Sequence, residues 1–210
     1  MTGKSALLFL TLITFGLSVV GGETKVENLI NEGTALNNAT SYDIAIPYFD
    51  EAISMNSSNS EAWYGKGFAL ENEGAFERDI IKAGSYNEEA KKCLEEAIQL
   101  NPNYEDAYRE LAWTESMLGN SEKGIELINK AINMDPNDAE AINVKGEIFF
   151  EMGRYSDALP FYYQASRIDP NNSNAWFNIG KTLKITGGDN AAASEAFKKA
   201  SDLDNRTKVS

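Results

Sequence analysis

Three prolines, Pro102, Pro136 and Pro170, stand 34 residues apart. A period of that length is one two-helix unit, which cannot bury its apolar face alone and must stack against copies of itself. The stretch Ala139 to Asn172 shows the unit in full. Ile142, Lys145, Gly146 and Phe149 fall at i, i+3, i+4 and i+7, one face of a helix. Gly153 ends that helix, because glycine takes a left-handed cap without steric cost. Ala158, Tyr162 and Ala165 mark one face of a second helix, which Asp169-Pro170 closes, since the residue before proline is driven out of the α region. Gly146, Ala158 and Ala165 are small where two helices have to meet closely.

The pattern tiles the chain as five units: 26–59, 60–104, 105–138, 139–172 and 173–206. The small position of the first helix reads Gly33, Gly67, Ala112, Gly146 and Gly180. The two small positions of the second helix read Ala45, Ala90, Gly124, Ala158, Ala193 and Ala52, Ala97, Ala131, Ala165, Ala200. The bulky position between them reads Phe49, Leu94, Ile128, Tyr162 and Phe197. Coupled columns of this kind resemble the tetratricopeptide repeat, with one departure at Ile142, where that family prefers Trp. The resemblance implies an all-α fold, a right-handed superhelical solenoid of helix-turn-helix repeats in which each unit contacts only its neighbours. Ser58 with Glu61, Asn103 with Asp106 and Asn137 with Glu140 are expected as helix-start capping pairs. Gly119, Gly153 and Gly187 are expected to close first helices.

Charge and composition exclude several functions. Nineteen Lys and Arg against 32 Asp and Glu give a net charge of −13, which repels phosphate backbones, so nucleic acid is not an expected partner. With no histidine and a single cysteine, Cys93, a Cys/His zinc site, an imidazole base and an intramolecular disulfide are all excluded. Neither a P-loop nor a serine elbow is present. The acidic pairs Glu88-Glu89 and Glu95-Glu96 read as solvated helix faces. The chain is therefore expected to be non-enzymatic, with no metal and no cofactor.

The N-terminus is a different kind of sequence. Lys4 precedes an apolar run from Ala6 to Val20, followed by Gly21-Gly22 and Glu23. This is the layout of a secretory signal peptide, residues 1–22, or of an uncleaved signal anchor. Either reading places the repeats outside the cytoplasm, secreted or tethered, with the membrane reached only through residues 5–22. N-x-Ser/Thr sequons at Asn38, Asn56, Asn171 and Asn205 fall in expected turns or at the end, where a glycan would not disturb packing.

The repeat 60–104 carries 11 residues too many, within Gly74 to Gly84. Eleven residues are close to three helical turns, so the insert either lengthens the repeat's helices or adds a loop. Phe76, Ile80 and Ile81 within it form a small apolar face that either docks a partner or folds back on its neighbours. At the other end only a few residues follow the repeat 173–206, so its second helix either caps itself or leaves Phe197 and Leu203 for a partner.

The resemblance also implies a binding surface. In the family the first helices line a concave groove, and the fifth and ninth repeat positions face a bound peptide. Those positions here are Ile30 and Thr34, Tyr64 and Phe68, Arg109 and Trp113, Asn143 and Glu147, and Phe177 and Lys181. Members that clamp the acidic tail of heat-shock chaperones place Lys then Asn there in their first repeat, and no repeat of this chain has that pair. The four aromatics either anchor a partner or pack against the adjacent repeat. The expected function is a scaffold that binds protein or peptide. A cell-surface carbohydrate or glycolipid binder and a structural subunit of an envelope assembly are the alternatives.

Overall fold

The computed structural model describes residues 24–207, and all regular structure among them is helical, with no strand. The all-α fold class implied by the repeat is therefore what the chain adopts. The expected signal segment, residues 1–22, lies outside the described residues, and among the described ones no helix is long and apolar enough to cross a membrane. The chain forms two compact units, divided after Pro102.

The N-terminal unit holds α1 (24–38), α2 (Tyr42–Met55), α3 (Ser60–Phe76) and α4 (Ile80–Leu100). Its core gathers Val26, Leu29, Tyr42, Ala45, Phe49, Ala52, Ala62 and Ala69. Phe49, fully buried, sits where a Cβ on Gly65 would come within 2.3 Å of its ring and one on Gly33 within 2.8 Å. Glycine at both places lets α1 and α3 close on one aromatic ring. Lys66 ties three helices together, its Nζ 2.9 Å from Asp50 on α2 and 2.9 Å from Glu89 on α4. These partners outweigh the cost of partial burial and raise its pKa well above the usual lysine value.

The extra residues of this unit extend both helices. α3 runs 17 residues and α4 runs 21, against 13 for α5 and 14 for α6. Ile80 and Ile81 do not fold back, at 87 and 86% exposure in the turn between α3 and α4, and Phe76 returns only to the ring of Tyr42 and stays 72% exposed.

The C-terminal unit holds α5 (Glu105–Met117), α6 (Ser121–Met134), α7 (Ala139–Glu151), α8 (Tyr155–Ile168), α9 (Ser173–Ile185) and α10 (Asn190–Thr207). Tyr162, 1% exposed, packs with Ala158, Ile179, Leu183, Ala193 and Ala196. Burying a ring of this size contributes roughly 2–3 kcal/mol. Ile142 fills the position where the family prefers Trp, packed with Ala165 and Ala175.

The first helices end as their glycines require. Gly119, Gly153 and Gly187 have φ of +86, +72 and +67°. Behind Gly153 the N–H of Arg154 returns to the carbonyl of Phe149 at 2.9 Å, satisfying an otherwise orphaned acceptor. The helix starts differ from the expected pairs by one residue. Asn59 and Asp138, not Ser58 and Asn137, supply the capping oxygens, to the N–H groups of Ala62 and Glu140 at 2.9 and 2.8 Å. Asn103 is likewise displaced, since the cap position of α5 is Tyr104. In each turn the backbone enters the helix one residue late, and the next Asn or Asp takes the cap where one is present.

Candidate functional site

Within the C-terminal unit the backbones of α5 and α7, and of α7 and α9, approach closely, whereas those of α6, α8 and α10 stay apart. A row whose members approach closely is the inner row of a curved stack. The first-helix side chains turned away from the second helices therefore line the unit's inner face.

Arg109 of α5 is the electrostatic centre of one end of that face. Its guanidinium lies 2.7 Å from Asp106, 3.2 Å from Glu110 and 3.0 Å from Asp138, the residue that caps α7. Carboxylates outnumber the cation, and their pKa values show it. Burial, then a shared hydrogen bond with Asp138, pushes Glu105 up to about 7. Burial also pushes Glu110 up to about 7, only partly opposed by Arg109 beside it. Burial alone would raise Asp138 too, but the hydrogen bond from Glu105 and the charge of Arg109 hold it below its ordinary value. Glu140 accepts a bond from the amide of Asn172 at 3.0 Å, carrying the network on to the start of α9. Glu105, Asp106, Arg109, Asp138, Glu140 and Asn172 border an open cavity of about 610 Å³.

The middle of the face is a second polar network. Asn143, fully buried, donates to Glu147 at 3.1 Å. The Asn178 amide reaches Asn143 at 3.2 Å and Glu147 at 2.8 Å. Glu147 is thus held by two neutral amides, and burial pushes it up to about 7 in spite of them. Next to it Lys181 places its Nζ 4.0 Å from the centre of the Phe150 ring. Such a cation–π contact contributes on the order of 1 kcal/mol.

The ten residues expected to face a ligand divide three ways. Arg109, Glu147 and Lys181 lie on the inner face of the C-terminal unit, each already engaged within the protein, whereas Asn143 does not face a ligand: it is fully buried, its amide held between Glu147 and Asn178. Trp113 is half-buried and Phe177 is 52% exposed, its ring edge-on to Phe197 at 5.5 Å. In the N-terminal unit Ile30 is 7% exposed and belongs to the core, because the first repeat uses its fifth position to pack on α2. Thr34 is exposed, and Tyr64 and Phe68 are half-buried with ring centres 6.2 Å apart. Of the sequon asparagines, Asn38, Asn56 and Asn171 are exposed, and Asn205 falls where only helical backbone is described.

Sequence reasoning missed Glu110, Asp138 and Asn178. Glu110 and Asn178 both occupy the sixth repeat position, and a polar residue beside the fifth was the available signal. Among the described residues no group of acids has the geometry to hold a metal ion.

Comparison with known proteins agrees with this architecture. Profiles described as "Tetratricopeptide repeat" match residues 30–86, 82–148 and 173–207, and one described as "TPR repeat" matches 146–187. The chain is 26% identical over 206 residues to the human protein O-mannosyl-transferase TMTC3, covering 95% of this chain and 22% of that protein. It is 28% identical over 165 residues to the Hsp70-Hsp90 organizing protein of Triticum aestivum, covering 69% of this chain and 28% of that one. The chain thus spans about a quarter of these relatives' length. Among solved structures, YrrB, described as a TPR protein with an unusual peptide-binding site, superposes with a TM-score of 0.55 at 22% identity, over 90% of this chain and 91% of its own. MamA of Desulfovibrio magneticus RS-1 superposes with a TM-score of 0.62 at 18% identity, over 87% of this chain and 96% of its own. At such identities the likeness shows the fold alone.

Proposed function

This chain belongs to the tetratricopeptide-repeat family, and we propose that it is a non-enzymatic scaffold that binds a protein or peptide segment along the inner face of its first helices. The observation that carries the reading is the row α5, α7, α9. It holds a buried polar network, Asn143, Glu147 and Asn178, that fixes α7 against α9, and it carries a half-buried Trp113 and a half-exposed Phe177. Aromatic anchors beside a fixed polar network are the composition of an interface centre. The description of YrrB as peptide-binding and the name of the Hsp70-Hsp90 organizing protein support the same class of partner. The mannosyl-transferase name is not carried over, because this chain matches only 22% of that protein.

We also place the repeats outside the cytoplasm, on the strength of the apolar run Ala6 to Val20 and the Gly21-Gly22-Glu23 that follows it. N-terminal sequencing of protein from its native cell should then begin near Glu23 or find the chain in the membrane fraction.

The binding claim is tested by selecting displayed peptides on the purified chain. Trp113→Ala should weaken the selected peptides by about 2 kcal/mol or more while leaving folding largely intact. Tyr163→Ala, on α8, should leave them unchanged. If Trp113→Ala instead destabilises the fold and spares binding, Trp113 is core and the partner surface lies elsewhere. Binding on a glycan array without any peptide selected would favour the carbohydrate reading.

A further inference from the structure

The turn between α3 and α4 is built for something other than packing. Phe76 stacks one face of its ring on Tyr42, with centres 6.2 Å apart and planes 21° apart, and still leaves 72% of itself exposed. Ile80 and Ile81 open α4 at 87 and 86% exposure. The turn beneath them is held firmly. The Glu77 carboxylate accepts the N–H groups of Arg78 and Asp79 at 2.9 and 3.2 Å and pairs with Lys82 at 2.6 Å. Asp79 caps α4, accepting from Ile81 and Lys82 at 2.9 and 3.3 Å. Both acids are thereby spent on the turn, while the exposed Arg78 makes no ion pair among the described residues. In a chain of net charge −13 this apex, with Glu77 and Asp79 set against Arg78 and Lys82, is locally neutral.

We propose that this apex is a membrane contact, in which Phe76, Ile80 and Ile81 enter the interface of a bilayer and Arg78 sits at its phosphate headgroups. Two arguments select a bilayer over a protein partner. Three side chains at these exposures offer on the order of 400 Å² of apolar surface, half of the roughly 800 Å² per partner that a stable interface needs. Moreover, they project from the end of a helix pair, and a bilayer accepts a convex apolar tip without a complementary pocket. The inference is independent of the inner-face binding proposed above. It adds a second membrane contact to any that residues 5–22 make.

The test places an environment-sensitive dye at the tip of the full-length chain through Ile80→Cys. The native Cys93 is 2% exposed and burial pushes its thiol up to about 11, so it stays unlabelled. The same dye on α2 through Ile44→Cys is the control, at a position 53% exposed. With vesicles of phosphatidylcholine and phosphatidylglycerol, the dye at position 80 should blue-shift and be quenched by bromine on the lipid chains, and the dye at position 44 should not. Phe76→Ser with Ile81→Ser should weaken the position-80 response about tenfold or more, with helical circular dichroism unchanged. A silent dye at position 80 overturns the proposal, whether the protein sediments with the vesicles through residues 5–22 or stays in solution. A shift that appears without lipid and grows with protein concentration also overturns it, because the tip then docks on a second copy.

Discussion

Gly146 is where the repeat register can be tested most sharply. A Cβ at this position would lie 2.6 Å from Cε1 and 2.8 Å from Cδ1 of Tyr162, where ordinary contact begins at 3.4 Å. The ring would have to retreat by roughly 0.8 Å. Tyr162 is 1% exposed and packed against Ala158 and Ile179, so it has nowhere to go. Overpacking of this kind costs about 1–3 kcal/mol. Against it stands the better helix propensity of alanine, worth about 1 kcal/mol. Gly146→Ala should therefore destabilise by about 1 kcal/mol, and Gly146→Leu, which adds the rest of a side chain at the same place, by about 3 kcal/mol. Gly84 is the control, since it lies inside α4 and a Cβ there would meet nothing within 4 Å. Gly84→Ala keeps the propensity gain without the clash and should stabilise by up to about 1 kcal/mol. Urea unfolding followed by circular dichroism reads all three against the parent. If Gly146→Ala and Gly84→Ala shift the transition equally and in the same direction, the contact between Gly146 and Tyr162 is not a constraint and the reasoning fails.

Three further outcomes are expected. Burial raises Glu147 from its unfolded value to about 7, so the folded state holds its proton more tightly. Stability should then fall as pH rises from about 5 to 7, by about 3 kcal/mol in all, and Glu147→Gln should flatten that part of the urea midpoint against pH. Arg109→Met leaves Asp106, Glu110 and Asp138 without their shared cation, so it should cost about 3 kcal/mol at pH 8 and clearly less at pH 5, where Glu105 and Glu110 take up protons. A pH-independent loss in thermal unfolding would show that Arg109 matters through packing. Deleting Ala75 to Ser85 removes the protruding ends of α3 and α4 and should leave a helical array that still unfolds cooperatively; a broad, non-cooperative melt would assign those residues to the core.

What the sequence disclosed depends on how local each feature is. Gly153 and its counterparts are legible because a left-handed backbone position excludes nearly every other residue. The pairing of Gly146 with Tyr162 is legible because both lie in one repeat and recur at a fixed spacing. The caps at Asn59 and Asp138 were misread by one residue, since adjacent Asn, Asp and Ser in the same turn compete for the role and only backbone dihedrals separate them. The inner face was least legible. Arg109 as a lone cation looks available, yet Asp138, which binds it, lies 29 positions away at the far end of the same repeat, where it caps the first helix of the next. Ile30 and Asn143 carry the same repeat position as Arg109 but are both buried, Ile30 in the apolar core and Asn143 between Glu147 and Asn178.

The unequal contacts of the two helix rows have a mechanical consequence. In the C-terminal unit the backbones of α5, α7 and α9 run close together, and α7 and α9 are laced by the bonds of Asn178 to Asn143 and Glu147, while the backbones of α6, α8 and α10 stay farther apart. A strip with its stiff layer on one side has its neutral axis displaced toward that layer. When the unit flexes, the spacing of the inner row stays nearly fixed and the outer helices take up the strain by fanning apart or closing. A ligand bound along the inner row, as proposed, would rest on the part of the unit that changes least in length, so bending would leave the distances between its contacts nearly unchanged.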